Sequence, residues 1–171
     1  TGALTVTIFG VGDAGAYIQE TVSLDWTTAV PCTNDFRIIL RAWVATAGTG
    51  TVNAGRIDIK HTSTVIASIR IGASQSEILA WYVADDVVGA KLTGIDLGVE
   101  VVSTANATVA VVVERSGVQR ELLYEVLDGD APTDILRFPV PVKLLPGDLI
   151  WAKAKASTGT LAVHGRFYIH Q

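Results

Sequence analysis

The sequence predicts an all-β chain, an antiparallel β-sandwich or barrel of about 10–12 short strands. Apolar residues recur with a period of two nearly everywhere. Turn-forming Gly, Asp, Ser and Pro clusters punctuate the chain at short intervals. No segment places apolar residues at three-and-four spacing for the ten or more positions a helix needs.

Leu4, Val6 and Ile8 alternate with Thr5 and Thr7, which sets a first strand over 3–9. Beyond the turn at Gly10 to Gly15, a second is expected over 16–24. In 36–46, Phe36, Ile38, Leu40, Ala42 and Val44 alternate with Arg37, Ile39, Arg41 and Trp43, and a turn over 47–50 follows. The stretch NAGRIDIKH turns Ile57 and Ile59 to one side and Arg56, Asp58 and Lys60 to the other, a strand over 54–60 with one charged side. Strands are expected over 64–71 and 77–83, and over 90–102, where Ile95, Leu97, Val99 and Val101 alternate with Asp96, Gly98 and Glu100. The strand 107–114, ATVAVVVE, is apolar on both faces. The run ELLYEVL within 120–127 comes nearest to a helix, but Asp128–Gly129 cuts it short. Two prolines in Phe138-Pro139-Val140-Pro141-Val142 mark the strand at 135–140 as an edge or a crossing between sheets, because proline lacks the ladder donor. After the turn Pro146–Gly147–Asp148 comes a strand over 149–156. Beyond Ser157–Thr158–Gly159 a last strand spans 160–170, with Leu161, Val163, Gly165, Phe167 and Ile169 opposite Ala162, His164, Arg166, Tyr168 and His170.

At 171 residues the chain reads as a single β-sandwich domain over 1–171. Hydrophobic residues make up 49% and charged residues 18%, a greasy composition, yet no apolar run approaches the ~20 residues of a membrane-spanning helix. No membrane partner is expected; the surplus suits burial between copies of the chain, since permanent interfaces resemble a core cut in half. A net charge of −4 without a basic stripe argues against nucleic acid. Cys32 is the only cysteine, which excludes an intrachain disulfide and a cysteine-rich metal site, and its turn-like neighbours suggest an unreactive side chain. No secretory signal is visible.

No catalytic constellation emerges. His164 and His170 are six apart on one face, roughly 20 Å at the usual strand rise, too far to share a metal. There is no GxSxG elbow, and the carboxylates of Asp85–Asp86 and of Asp128 and Asp130 flank turns, where such groups favour local hydrogen bonds. The spacing of oxygen donors in a calcium-binding EF-hand is absent around Asp128-Gly129-Asp130, and Asn106-Ala107-Thr108 reads as a turn and strand start rather than a glycosylation site. No catalytic residue, metal or cofactor is expected. The doubly apolar strand makes Val109, Val111, Val112 and Val113 candidates for a subunit interface. Arg41, Trp43 and Trp151 join them, because Trp and Arg are enriched at interfaces. Aromatics on a flat sheet can equally stack on sugars, which makes Trp43, Trp151 and Tyr168 candidate glycan contacts.

The order TGALTVTIFGVGDAG, IQETVSLDWTTAV, FRIILRAWVATAGTGTVNAGRIDI, TVIASIRIGASQSEILAWYV resembles a family of small virion structural proteins of tailed, often marine, bacteriophages. The likeness continues through RFPVPVKLLPGDLIWAKAKAS and departs at Trp26, where the family has Gly, and at Asp85-Asp86-Val87-Val88, where it has a Pro-Ala-Gly turn. The resemblance implies a β-sandwich of jelly-roll-like organisation and a non-enzymatic virion protein, a capsid decoration or cement protein or a head or tail appendage. It further implies a homotrimer that lacks an N-terminal extension and meets other phage capsid or tail proteins. The alternative is a receptor-recognition module of a phage tail that binds a host surface glycan. A hydrolase of capsule or cell wall is a third reading, on which fold is silent.

Overall fold

The computed structural model describes residues 2–49, 53–100, 106–127, 133–157 and 162–171. The turns expected at Gly50, at Asp128-Gly129-Asp130 and at Thr158–Gly159 lie outside the described residues, as do the carboxylates of Asp128 and Asp130. Among the described residues there are twelve elements, all strands: β1 (Ala3–Gly12), β2 (Tyr17–Ser23), β3 (Phe36–Ala47), β4 (Ile57–His61), β5 (Thr64–Ile69), β6 (Ala80–Tyr82), β7 (Lys91–Glu100), β8 (Ala107–Arg115), β9 (Val118–Leu127), β10 (Thr133–Lys143), β11 (Leu149–Ala156) and β12 (Ala162–His170). Each expected strand is present, and every pairing is antiparallel. Where the sequence reads as one domain, the chain's contacts gather into two compact units, Thr1–Ile78 and Leu79–Gln171.

In the first unit β1 lies between β2 and β3, while β4 and β5 form a hairpin. Val6 and Ile8 of β1, Ala42 of β3, Ile59 of β4 and Ala67 and Ile69 of β5 share one buried cluster, so hairpin and sheet are two layers over a common core. The alternation in β3 is broken. Phe9 faces Arg41 and Gly10 faces Ile39, which leaves Leu40 as an extra residue in a bulge. Past the bulge the faces exchange, and Ile39, expected on the polar side, packs against the core. Gly10 is required there: a Cβ would stand 2.1 Å from the Ile38 carbonyl oxygen.

The second unit has two sheets, ordered β10-β7-β12 and β6-β11-β8-β9. Ile95, Leu97 and Val99 of β7 meet Val109, Val111 and Val113 of β8, Leu127 of β9 and Ile150 of β11 in one continuous core. Pairing is nested about the β8–β9 hairpin: β7 pairs with β10 and β6 with β11. β10 is an edge strand, and the stretch holding Pro139 and Pro141 falls in the irregularity between Arg137 and Val142, where no ladder donor is needed.

The second unit's turn at Pro146–Gly147–Asp148 is bound to the body by a buried carboxylate. Asp148 is 0% exposed and accepts from Arg115 Nε at 2.8 Å, from a second Arg115 guanidinium nitrogen at 2.6 Å and from the Leu145 N–H at 2.8 Å. Burial pushes this carboxyl up, but the Arg115 bonds, the Leu145 N–H and the Arg115 charge outweigh it and hold it below the usual carboxylate range. Gly147 sits at φ +85°, a conformation that suits glycine.

Candidate functional site

The residues singled out in the sequence are divided between the two units. Arg41 and Trp43 lie in the first unit on β3, with the Arg41 guanidinium carbon 5.4 Å from the Trp43 ring centroid. Arg41 also donates to Gln75 Oε1 at 2.6 Å, so both side chains are held by neighbours of their own unit. The charged side of NAGRIDIKH pairs with itself, Arg56 Nε donating to Asp58 Oδ1 at 2.6 Å, with Lys60 and His61 exposed. That is a solvated wall rather than a cluster.

Tyr168 lies on the outer face of β12, in the second unit. The Arg137 guanidinium carbon sits 3.9 Å above its ring, over Gly94, where a Cβ would collide with the Arg137 side chain. Four register pairs further along, His164 lies across Gly98 in the same manner. Glycines in β7 thus let side chains of β10 and β12 fold flat over the sheet. The ring face of Tyr168 beneath Arg137 is already occupied, which counts against it as a sugar platform.

The apolar strand needs a correction. Val109, Val111 and Val113, expected at a subunit contact, point into the core of their own unit. Val112, on the opposite face, is only 2% exposed, and Ala110 beside it is buried too. β8 lies between β11 and β9, and Val112 is already buried within the single chain, without a second copy.

A concave surface in the second unit is one the sequence pointed to only in part. On the outer face of the β6-β11-β8-β9 sheet a shallow groove of about 580 Å³ is lined by Thr108, Ala110, Glu121, Tyr124, Lys153 and Lys155, together with the end of β11. Its form follows from register. Ala110 pairs with Tyr124 on one side and Lys153 on the other, and Thr108 with Val126 and Lys155, so small residues form a floor between taller walls. Lys153 and Lys155 share a face with Trp151 by strand alternation, and the Lys153 ammonium lies 5.7 Å from the Trp151 ring centroid. Tyr124, 62% exposed, was hidden in the helix-like ELLYEVL run. Its only sequence signal was its place among the polar residues of a strand.

Among the described residues no three His, Cys, Asp or Glu side chains come together to hold a metal ion. Cys32 lies on the exposed loop after β2. That loop is fastened by Glu20, whose carboxylate accepts from the Thr33 N–H at 2.7 Å and the Asn34 N–H at 2.8 Å, bonds that lower its pKa. Partial loss of water around the sulfur, and then the Glu20 charge, push the Cys32 thiol up, away from the thiolate form that reacts.

No protein-family model, curated protein or solved structure matches this chain.

Proposed function

We propose that the chain is a non-enzymatic structural subunit of a bacteriophage virion, a capsid decoration protein or a head or tail appendage, that assembles as a homo-oligomer. The observation that carries the reading is the nested strand order of Leu79–Gln171. A long hairpin folded back on itself, with β8–β9 at its centre and the β7–β10 and β6–β11 pairs around it, supports reading this unit as a jelly roll. Jelly rolls recur in capsid and lectin domains. Fold alone does not determine activity, and the sequence resemblance to phage virion proteins is what favours the capsid side. Ile135 and Val140, exposed on the edge strand β10, supply apolar surface for a neighbouring copy, in place of the core valines of β8. Light scattering on the purified protein tests the assembly, with three copies of the 18.1 kDa chain expected. Mass spectrometry of purified particles tests the location. A stable monomer absent from virions overturns the reading.

A further inference from the structure

We infer that the groove on the outer face of the β6-β11-β8-β9 sheet binds an acidic saccharide chain, a polyuronate, with Tyr124 as the ring platform and Lys153 and Lys155 as partners for the carboxylates. Three features of the groove converge on that chemistry, and none depends on the chain being a virion subunit.

The first is shape. Tyr124 and Lys153 are both register partners of Ala110, one strand to either side. Two strand spacings put the walls about 10 Å apart, with only Ala110 and Thr108 between them. That width admits one sugar chain lying across the floor. Tyr124 presents its ring to water at the wall, in contrast to Tyr168 beneath Arg137. An exposed aromatic face receives the apolar C–H face of a pyranose.

The second is charge. Lys153 and Lys155 are both exposed, and their Cα atoms stand about 7 Å apart along one strand. Among the described residues neither makes an ion pair with a carboxylate; Lys153 leans only on the Trp151 ring. Two unneutralised ammonium groups side by side in a chain of net charge −4 are a local reversal of sign. They fit anionic groups carried at intervals on a ligand.

The third is hydrogen-bonding capacity for hydroxyls. β6 pairs with β11 only from Leu149 to Trp151. The Ala152 N–H donates to the Leu79 carbonyl. Ala154 and Ala156 have the same parity, so their backbone groups point past the end of β6, to an edge with which no described strand pairs. Glu121 and Thr108 add side-chain acceptors on the groove side. A carboxylate in the lining accepts hydrogen bonds from sugar hydroxyls. With one aromatic platform and a negative chain overall, the groove is a poor match for single-stranded nucleic acid, which favours several stacked aromatics in a broad positive field.

The test is isothermal titration of the purified protein with oligomannuronate and oligogalacturonate, with neutral dextran and oligo-dT as comparisons. Binding of at least one uronate is expected, weakening as salt rises, with no binding of dextran. Tyr124→Ala and the double change Lys153→Gln with Lys155→Gln should each weaken it at least about tenfold. All three side chains are exposed, so folding of the variants is expected to be intact, and circular dichroism checks this. Silence with both uronates overturns the inference, as does uronate binding that neither folded variant reduces, or tighter binding of oligo-dT than of either uronate.

Discussion

Replacing Arg115 with alanine is expected to cost the second unit more stability than replacing Asp148 with asparagine, although both break the same ion pair. The asymmetry follows from where the abandoned charge is left. In Arg115→Ala the orphan is a carboxylate with 0% exposure, stripped of two charge-assisted hydrogen bonds and left with the Leu145 N–H. Breaking a buried pair from one side costs ~3–5 kcal/mol, and water entering beside the half-exposed arginine position puts this case near ~3 kcal/mol. In Asp148→Asn the orphan is the guanidinium, whose side chain is 48% exposed and can be solvated. Asparagine keeps the volume and an acceptor, so the loss is about 1–2 kcal/mol. The double variant should cost less than the sum, with a coupling of ~1–2 kcal/mol. Urea unfolding followed by circular dichroism at neutral pH reads all three. Acid supplies a second check. Because the folded pKa of Asp148 is depressed, the pair's stabilisation is present in full above the unfolded value of about 3.9 and is lost as pH falls through the folded value. Without Arg115 only burial and one N–H act on the carboxyl, so the gap between wild type and Arg115→Ala should narrow below about pH 4. An alanine variant no less stable than the asparagine variant, or a gap that widens in acid, would refute the account.

Gly165→Ala should destabilise the second unit by about 1–3 kcal/mol, since its Cβ would press on Leu79, Leu97 and the Asp96 carbonyl inside the packed face. Gly98→Ala should cost less than about 1 kcal/mol by the same chemical-denaturation measurement, because the exposed His164 ring it meets can swing outward. Trp26 is 91% exposed at φ +47°, so Trp26→Asn forfeits little packing and relieves a left-handed conformation. Thermal unfolding should show stability unchanged or raised by up to ~1 kcal/mol, and a clear loss would mean that the indole has a contact. Glu20→Gln should speed alkylation of Cys32 at pH 8 by removing the charge that raises the thiol and by loosening the loop; an unchanged or slower rate would count against that coupling.

Strand identities were legible because a half-buried strand writes its two faces in alternation, and β1, β7 and β12 do so plainly. Alternation carries no information about which strands become neighbours. ATVAVVVE therefore read as a surface awaiting a second copy, whereas β9 and β11 flank it and Val112 is buried within the chain. A bulge is equally silent: one extra residue at Leu40 moved Ile39 from the polar side to the core. The groove was half visible, since Lys153 and Lys155 share a face by parity. The hairpin sets Tyr124 beside Ala110, but Tyr124 met the lysines only through the pairing of β8 with β11, a long-range fact that no local window contains.

The pairing of β12 with β7 also sets when this molecule can finish folding. Glu100 waits for Ala162 and Lys91 for His170, so β7 leaves the ribosome well before the strand that will cover one of its edges. Closing so long a loop is entropically slow. During synthesis that edge is open to pairing with other nascent chains, and a C-terminal deletion that removes β12 should show itself first as inclusion bodies rather than as a weakened soluble protein.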